Sequence, residues 1–216
     1  MLNIWPSFLQ TSGGHMKASA LLLAIAVTAT IPLGSTFAQD KNAGHGGAHS
    51  GHAMQSSPNA DQAPFDLQFI DTMTVHHQGA LDMAKLVEDR SERQELKQLA
   101  RKMIDDQQSE IRQMQAWKQQ WYPDKRDAVN MKMPGMTESM KDMRMDKLEA
   151  AKGNTFDVMF IDMMTKHHEG AVKMAQVAGK KAEHAEVKEL AGKVISAQNK
   201  EIAQMAKWKK EWKAKR

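Results

Sequence analysis

The sequence predicts an all-α fold, and three observations carry that prediction. Ala, Lys, Glu, Gln and Met, all good helix formers, dominate the composition. One tyrosine and six phenylalanines are too few for an aromatic-rich β sandwich. Phe65 to Trp121 matches Phe156 to Trp212 without a gap at an offset of 91, with 28 of 57 positions identical, and each copy sets apolar residues at helical spacing.

The 216 residues suffice for one domain with tails. Met16-Lys17 precedes an apolar run from Ala18 to Leu33 and then the small residues Gly34 to Ala38, the pattern of a signal peptide cleaved after Ala38. Residues 1–38 are therefore a targeting segment, with Met1 to His15 as an upstream extension and Met16 as the expected start. The apolar run is about 16 residues, short of the ~20 that span a bilayer, so a periplasmic or secreted protein without stable membrane insertion is expected. Removing that segment deletes one lysine and no acid, which takes the formal charge from +4 to +3. Such a charge is too mild to imply nucleic acid. Residues 39–63, rich in Gly, Ala, Ser and His, read as a disordered tether.

The remainder, 64–216, divides into a first hairpin (64–122), a Met-rich crossover (123–154) and a second hairpin (155–216). Pro64 suits a first helical turn, and Phe69, Met73, His76, Ala80, Met83 and Val87 form one stripe. Ser91-Glu92-Arg93-Gln94 reads as a capping box opening a second helix with the stripe Leu96, Leu99, Met103, Gln107, Glu110, Met114, Trp117 and Trp121, and Pro123 stops it. A lone hairpin cannot cover its apolar faces, so the two copies should pack as a four-helix bundle. Two hairpins joined by one long crossover are the ferritin-like arrangement. The crossover is expected to carry a helical stretch near Glu138 to Lys152, ended by Gly153. Trp117, Trp121, Trp208 and Trp212 are read as apolar caps on the bundle ends, and His184, matched by Arg93 in the first copy, as a surface residue.

On a helix of about 100° per residue, His76 and His77 share the apolar face with Met73, Ala80 and Met83. The second copy repeats this with Met164, His167, His168, Ala171 and Met174. Buried imidazoles need partners. A turn centred near residue 90 puts Met73 and His76 opposite Gln107 and within a turn of Glu110, with Gln198 and Glu201 repeating this. An amide or carboxylate accepting from one ring nitrogen orients the other toward a metal. A single buried histidine is more often a hydrogen-bonded core residue, and methionines at helical spacing are more often filler. Two inward His-His pairs in register, each with methionine three residues earlier, favour a metal site.

The ligand types choose the metal. Without cysteine the soft ligand must be a thioether, of which 18 methionines offer many. Di-iron bundles need Glu-x-x-His, and here Met73 and Met164 stand where that Glu would be. The reading is copper, with Cu(I) favoured, Cu(II) accommodated by imidazole, and Ag(I) as a surrogate. The expected ligands are Met73, His76, His77, Met83 and Met114, with Met164, His167, His168, Met174 and Met205. His45, His49, His52 and Met54 in the tether, and Met131, Met133, Met136, Met140, Met143 and Met145 in the crossover, form auxiliary clusters. Met83 is expected to serve a second layer with Met114 or a residue of the other copy.

Phe69-Ile70-Asp71, Met73, His76-His77, Ala80 and Met83, followed by Gln107, Glu110-Ile111, Met114 and Trp117, resemble the signature of the domain of unknown function 305 family, which includes CopM-like secreted copper-binding proteins. Phe160-Ile161-Asp162, Met164, His167-His168, Ala171, Met174, Gln198, Glu201-Ile202, Met205 and Trp208 give it again. Thr74 and Thr165 stand where proline is common in the family. The resemblance implies a ferritin-like bundle in the periplasm or outside the cell that binds copper or silver through Met and His. The expected function is copper sequestration, resistance or transfer without an enzymatic step, with a copper exporter or periplasmic copper chaperone as the protein partner. The alternatives are a ferritin-like metal oxidase or storage protein, and a structural interaction bundle.

Overall fold

The computed structural model describes residues 55–141 and 143–213. The targeting segment and His45, His49, His52 and Met54 lie outside the described residues. Four long helices dominate: α1 (Phe65–Lys85), α3 (Gln94–Trp121), α6 (Gly153–Lys181) and α7 (Ala185–Lys213). Between them lie the one-turn α2 (Val87–Arg90) and, in the crossover, α4 (Met136–Lys141) and α5 (Met145–Ala150). Helix α3 packs on α1 and α7 on α6, α1 and α6 pack on each other, and α4 lies on α6. No helix among the described residues is long and apolar enough to cross a membrane.

The core comes in two parts, and every long helix passes from one to the other. The first gathers Phe69, Ile70, Met73, Met114, Ala171, Met174, Ala175, Val187, Leu190 and Val194. The second gathers Met83, Leu96, Met103, Phe156, Phe160, Met164, Met205 and Trp212. The early part of α1 thus shares a cluster with the late part of α6, so these two helices run antiparallel. Between the clusters each helix carries buried or half-buried polar residues: His76 and His77, Gln107 and Glu110, His167 and His168, Gln198 and Glu201.

The crossover departs from expectation. It is folded against the bundle, with Met133 and Met136 buried. Asp71 accepts from the Ala128 backbone N–H at 2.7 Å and from Lys118 at 2.7 Å, and Thr72 Oγ1 accepts from the Asn130 N–H at 2.9 Å. Residues before α1 join in, the Ser57 N–H donating to Val129 O at 2.8 Å and the Met131 N–H to Ser56 Oγ at 3.0 Å. Gly153, at φ 53°, opens α6; it does not end a crossover helix, and the two short helices α4 and α5 replace the single stretch expected there. Ser91 forms no capping box either. Its Oγ accepts from the N–H of Arg93, the residue just before α3, at 3.1 Å, because the extra turn α2 pushes the reversal of the chain to Ser91–Arg93.

His184 is no bystander at the surface. Its Nδ1 lies 2.7 Å from Asp66 Oδ2 and its ring stacks on Trp121 at 3.8 Å, so the loop of the second hairpin is fastened to both ends of the first. Arg93 does the same in reverse: Nε donates to Asp157 at 3.0 Å and the guanidinium lies 4.2 Å above Trp212. The tryptophans do cap the two clusters, as stacked pairs with centroids 5.3 Å and 5.7 Å apart. Asp157 is buried, so removing its cation leaves an uncompensated carboxylate. Arg93→Ala should cost about 3 kcal/mol in chemical denaturation, and Arg93→Lys should recover only part of it, since lysine lacks the planar fork that stacks on Trp212.

Candidate metal centre

The polar layer exists because a heptad-like apolar stripe is interrupted at the same height in all four helices. His76, His77, His167 and His168 are each at most 1 % exposed. The pseudo-symmetric pair His76 and His167 face one another with ring centroids 3.7 Å apart, while each lies about one side chain from its own neighbour, at 6.5 Å for His76–His77 and 6.4 Å for His167–His168.

The hydrogen bonds fix which nitrogens are spoken for. His77 Nε2 donates to Glu110 Oε2 at 2.6 Å, and His168 Nε2 to Glu201 Oε2 at 2.7 Å. A carboxylate only accepts, so in the neutral rings Nδ1 is left as the lone pair. It is His77, not His76, that meets Glu110, because α2 moves the reversal of the chain beyond residue 90. Ser139 settles His76. Its hydroxyl donates to Met136 O at 2.9 Å, so its oxygen accepts from His76 Nε2 at 3.0 Å, and Nδ1 is again left free. His167 has no hydrogen-bond partner on either nitrogen.

Five ring nitrogens are therefore buried without a partner: Nδ1 of all four histidines and Nε2 of His167. Each such group costs about 1–3 kcal/mol if nothing binds it. His76 and His167 both have pKa values well below the ordinary imidazole range, first because burial penalises the charged ring and then because the neighbouring imidazoles repel it. A neutral ring with an open lone pair is the form that ligates metals.

Thioethers lie on both sides. Met73, Met114 and Met174 belong to one core cluster, Met164, Met205 and Met83 to the other. The duplication maps the first trio onto the second, and each trio mixes the two copies, so Met83 sits with residues of the other hairpin. Of the crossover methionines, Met133 and Met136 are core residues, and Met131, Met140, Met143 and Met145 are half-buried. Sequence reasoning missed Ser139 altogether. Its only signal was a lone serine in a methionine-rich segment. Gln107 and Gln198 are buried in the layer as expected, their side-chain oxygens without partners. Among the described residues no three of His, Cys, Asp or Glu converge on one point.

A family model described as domain of unknown function (DUF305) matches residues 66–209. Solved structures match over the same region. CopM in its Cu(I)-bound form is 38% identical, with a TM-score of 0.58, covering 68% of this chain and 96% of that one. CopM in its Cu(II)-bound form is 39% identical, with a TM-score of 0.59, covering 68% and 97%. A DUF305 protein of Streptomyces coelicolor, provisionally described as secreted, is 30% identical, with a TM-score of 0.60, covering 69% and 94%. No curated protein matches the chain.

Proposed function

The chain belongs to the domain of unknown function 305 family, and from that premise we propose that it is a copper-binding protein of the periplasm or the cell exterior, favouring Cu(I), that sequesters copper or hands it on. The observation that carries the reading is the buried layer of four imidazoles, five of whose nitrogens lack a partner, set between two trios of methionines. Neutral imidazole and thioether together suit Cu(I), and Ag(I) by the same softness. Glu110 and Glu201 orient two of the rings through Nε2, which is the part such carboxylates play beside metal-bound histidine. Copper bound in CopM, whose chain is covered to 96% and 97% by the match, supports the reading.

Titration of the metal-free protein with Cu(I) against a competing chelator tests it. A tight complex that also raises the thermal unfolding temperature is expected, since binding to the folded state alone stabilises it. A chain that cannot take Cu(I) from the chelator would sink the reading. Replacing Glu110 and Glu201 with glutamine should weaken Cu(I) binding by about 10-fold to 100-fold, the usual effect of removing a ligand's orienting partner.

A ferritin-like oxidase is the second reading, and the ligand set disfavours it: Met73 and Met164 occupy the positions that would need carboxylates, and the described residues offer no cage of hard ligands. Fe(II) followed by oxygen should give no turnover.

A further inference from the structure

The duplication suggests two equivalent metal positions, one beside each histidine pair. Gly79 and Gly170, which correspond across the offset of 91, show that the positions differ. Both glycines are buried in helix interiors, where glycine costs about 1 kcal/mol relative to alanine, so each holds a space open for something.

At Gly170 the space is filled by the crossover backbone. A β-carbon there would fall 2.4 Å from Ser139 Cβ, 2.5 Å from Gly135 O and 2.6 Å from Ser139 Oγ. Gly135, with φ 95°, would in turn bring a β-carbon to 2.3 Å from Gly170 O. This close approach seats α4 on α6 and delivers the serine that satisfies His76 Nε2. At Gly79 there is no such serine. The same point lies 3.3 Å from His167 Nε2, 3.3 Å from Met143 Cε and 3.7 Å from Met140 Cε. The turn bond from the Met143 N–H to Met140 O at 3.2 Å keeps the two methionines on one side of the chain. His167 Nε2 is buried and has no partner.

We infer that His167 Nε2, Met140 and Met143 form a single three-coordinate Cu(I) site over Gly79, and that the duplicate position over Gly170 is closed by Ser139. One nitrogen and two thioethers suit a soft monovalent ion and offer nothing to a hard divalent one. The crossover is therefore the element that breaks the twofold pattern. It satisfies one histidine with a hydroxyl and completes the other with sulfur.

The inference rests on the copper reading, and the experiment separates the two. Full-length protein, Met140→Leu/Met143→Leu and Gly79→Ala are compared by Cu(I) competition titration, thermal unfolding and X-ray absorption on the loaded forms. Leucine is close to methionine in volume, so the fold should persist while Cu(I) affinity at the tightest site falls about 10-fold or more and two sulfur scatterers disappear. Gly79→Ala should leave the metal-free protein folded and yet lower its Cu(I) affinity, because the methyl group, 3.3 Å from His167 Nε2 and Met143 Cε, occupies the metal's space. Unchanged affinity and sulfur count in Met140→Leu/Met143→Leu, or undiminished affinity in Gly79→Ala, would overturn this site while leaving copper binding by the bundle intact. Failure of the unaltered chain to bind Cu(I) would overturn both.

Discussion

Alanine at both His76 and His167 is expected to weaken Cu(I) binding by about 100-fold or more, a loss of about 2.7 kcal/mol, while the metal-free protein stays folded. The two halves of that expectation have separate causes. The affinity falls because these rings face one another 3.7 Å apart and carry three of the layer's five unpartnered nitrogens, Nδ1 of His76 and both nitrogens of His167. The stability changes little because two effects of similar size oppose each other. Truncating two buried rings leaves a cavity, a loss of a few kcal/mol, whereas three unpartnered nitrogens, each costing about 1–3 kcal/mol, disappear with them. Ser139 loses its donor but keeps the bond to Met136 O. If the histidines were only core residues, the same substitution would leave metal binding untouched. Competition titration and urea denaturation of the double variant distinguish the two, and unchanged Cu(I) affinity would reject the histidine layer as the metal site.

What made this layer legible in the sequence was repetition. Met73, His76, Ala80 and Met83 announced an inward face by their spacing, and the copy at Met164 to Met174 doubled the signal; both stripes are buried as expected. Gln107 and Glu110 were identifiable because they interrupt an otherwise apolar stripe. The pairing of His77 with Glu110 was not, since antiparallel register depends on where the chain reverses, and the single turn Val87–Arg90 leaves no periodic trace in four residues. Nor was the folding of the crossover. Helices of six residues have too few turns to establish a stripe, and methionine at Met133 or Met136 suits a core and a flexible ligand cluster equally well. Asp66 and Asp157 carry no signal of their own in the sequence. Their partners, His184 and Arg93, lie more than sixty positions away, and only the packing of the hairpins brings them together.

Acidification to about pH 5 is expected to remove Cu(II) from His45, His49 and His52 and to leave Cu(I) in the bundle. An imidazole in an unperturbed setting titrates near pH ~6.5, so at pH 5 most copies of those three side chains would be protonated and closed to metal. In the bundle the sign of the shift works the other way. Burial, then the adjacent imidazoles, push His76 and His167 well below that value, so the neutral, ligating form outlasts that of a free histidine as the pH falls. Thioethers bind no proton in this range, so Met140, Met143 and the core trios face no competition from acid. The comparison requires a deletion that spares the fold. The deletion therefore takes residues 40–54 and keeps Ser56 and Ser57, which bond to Met131 and Val129 of the crossover. Titrated with each oxidation state at pH 7 and pH 5, the shortened protein should lack the Cu(II) capacity that the full chain shows at pH 7 and loses at pH 5, and should hold Cu(I) equally at both. Equal Cu(II) capacity with and without residues 40–54 would reduce that segment to a linker. Release of Cu(I) from the shortened protein at pH 5 would mean that protons reach the histidine layer in spite of its burial, and that the thioethers do not hold the ion.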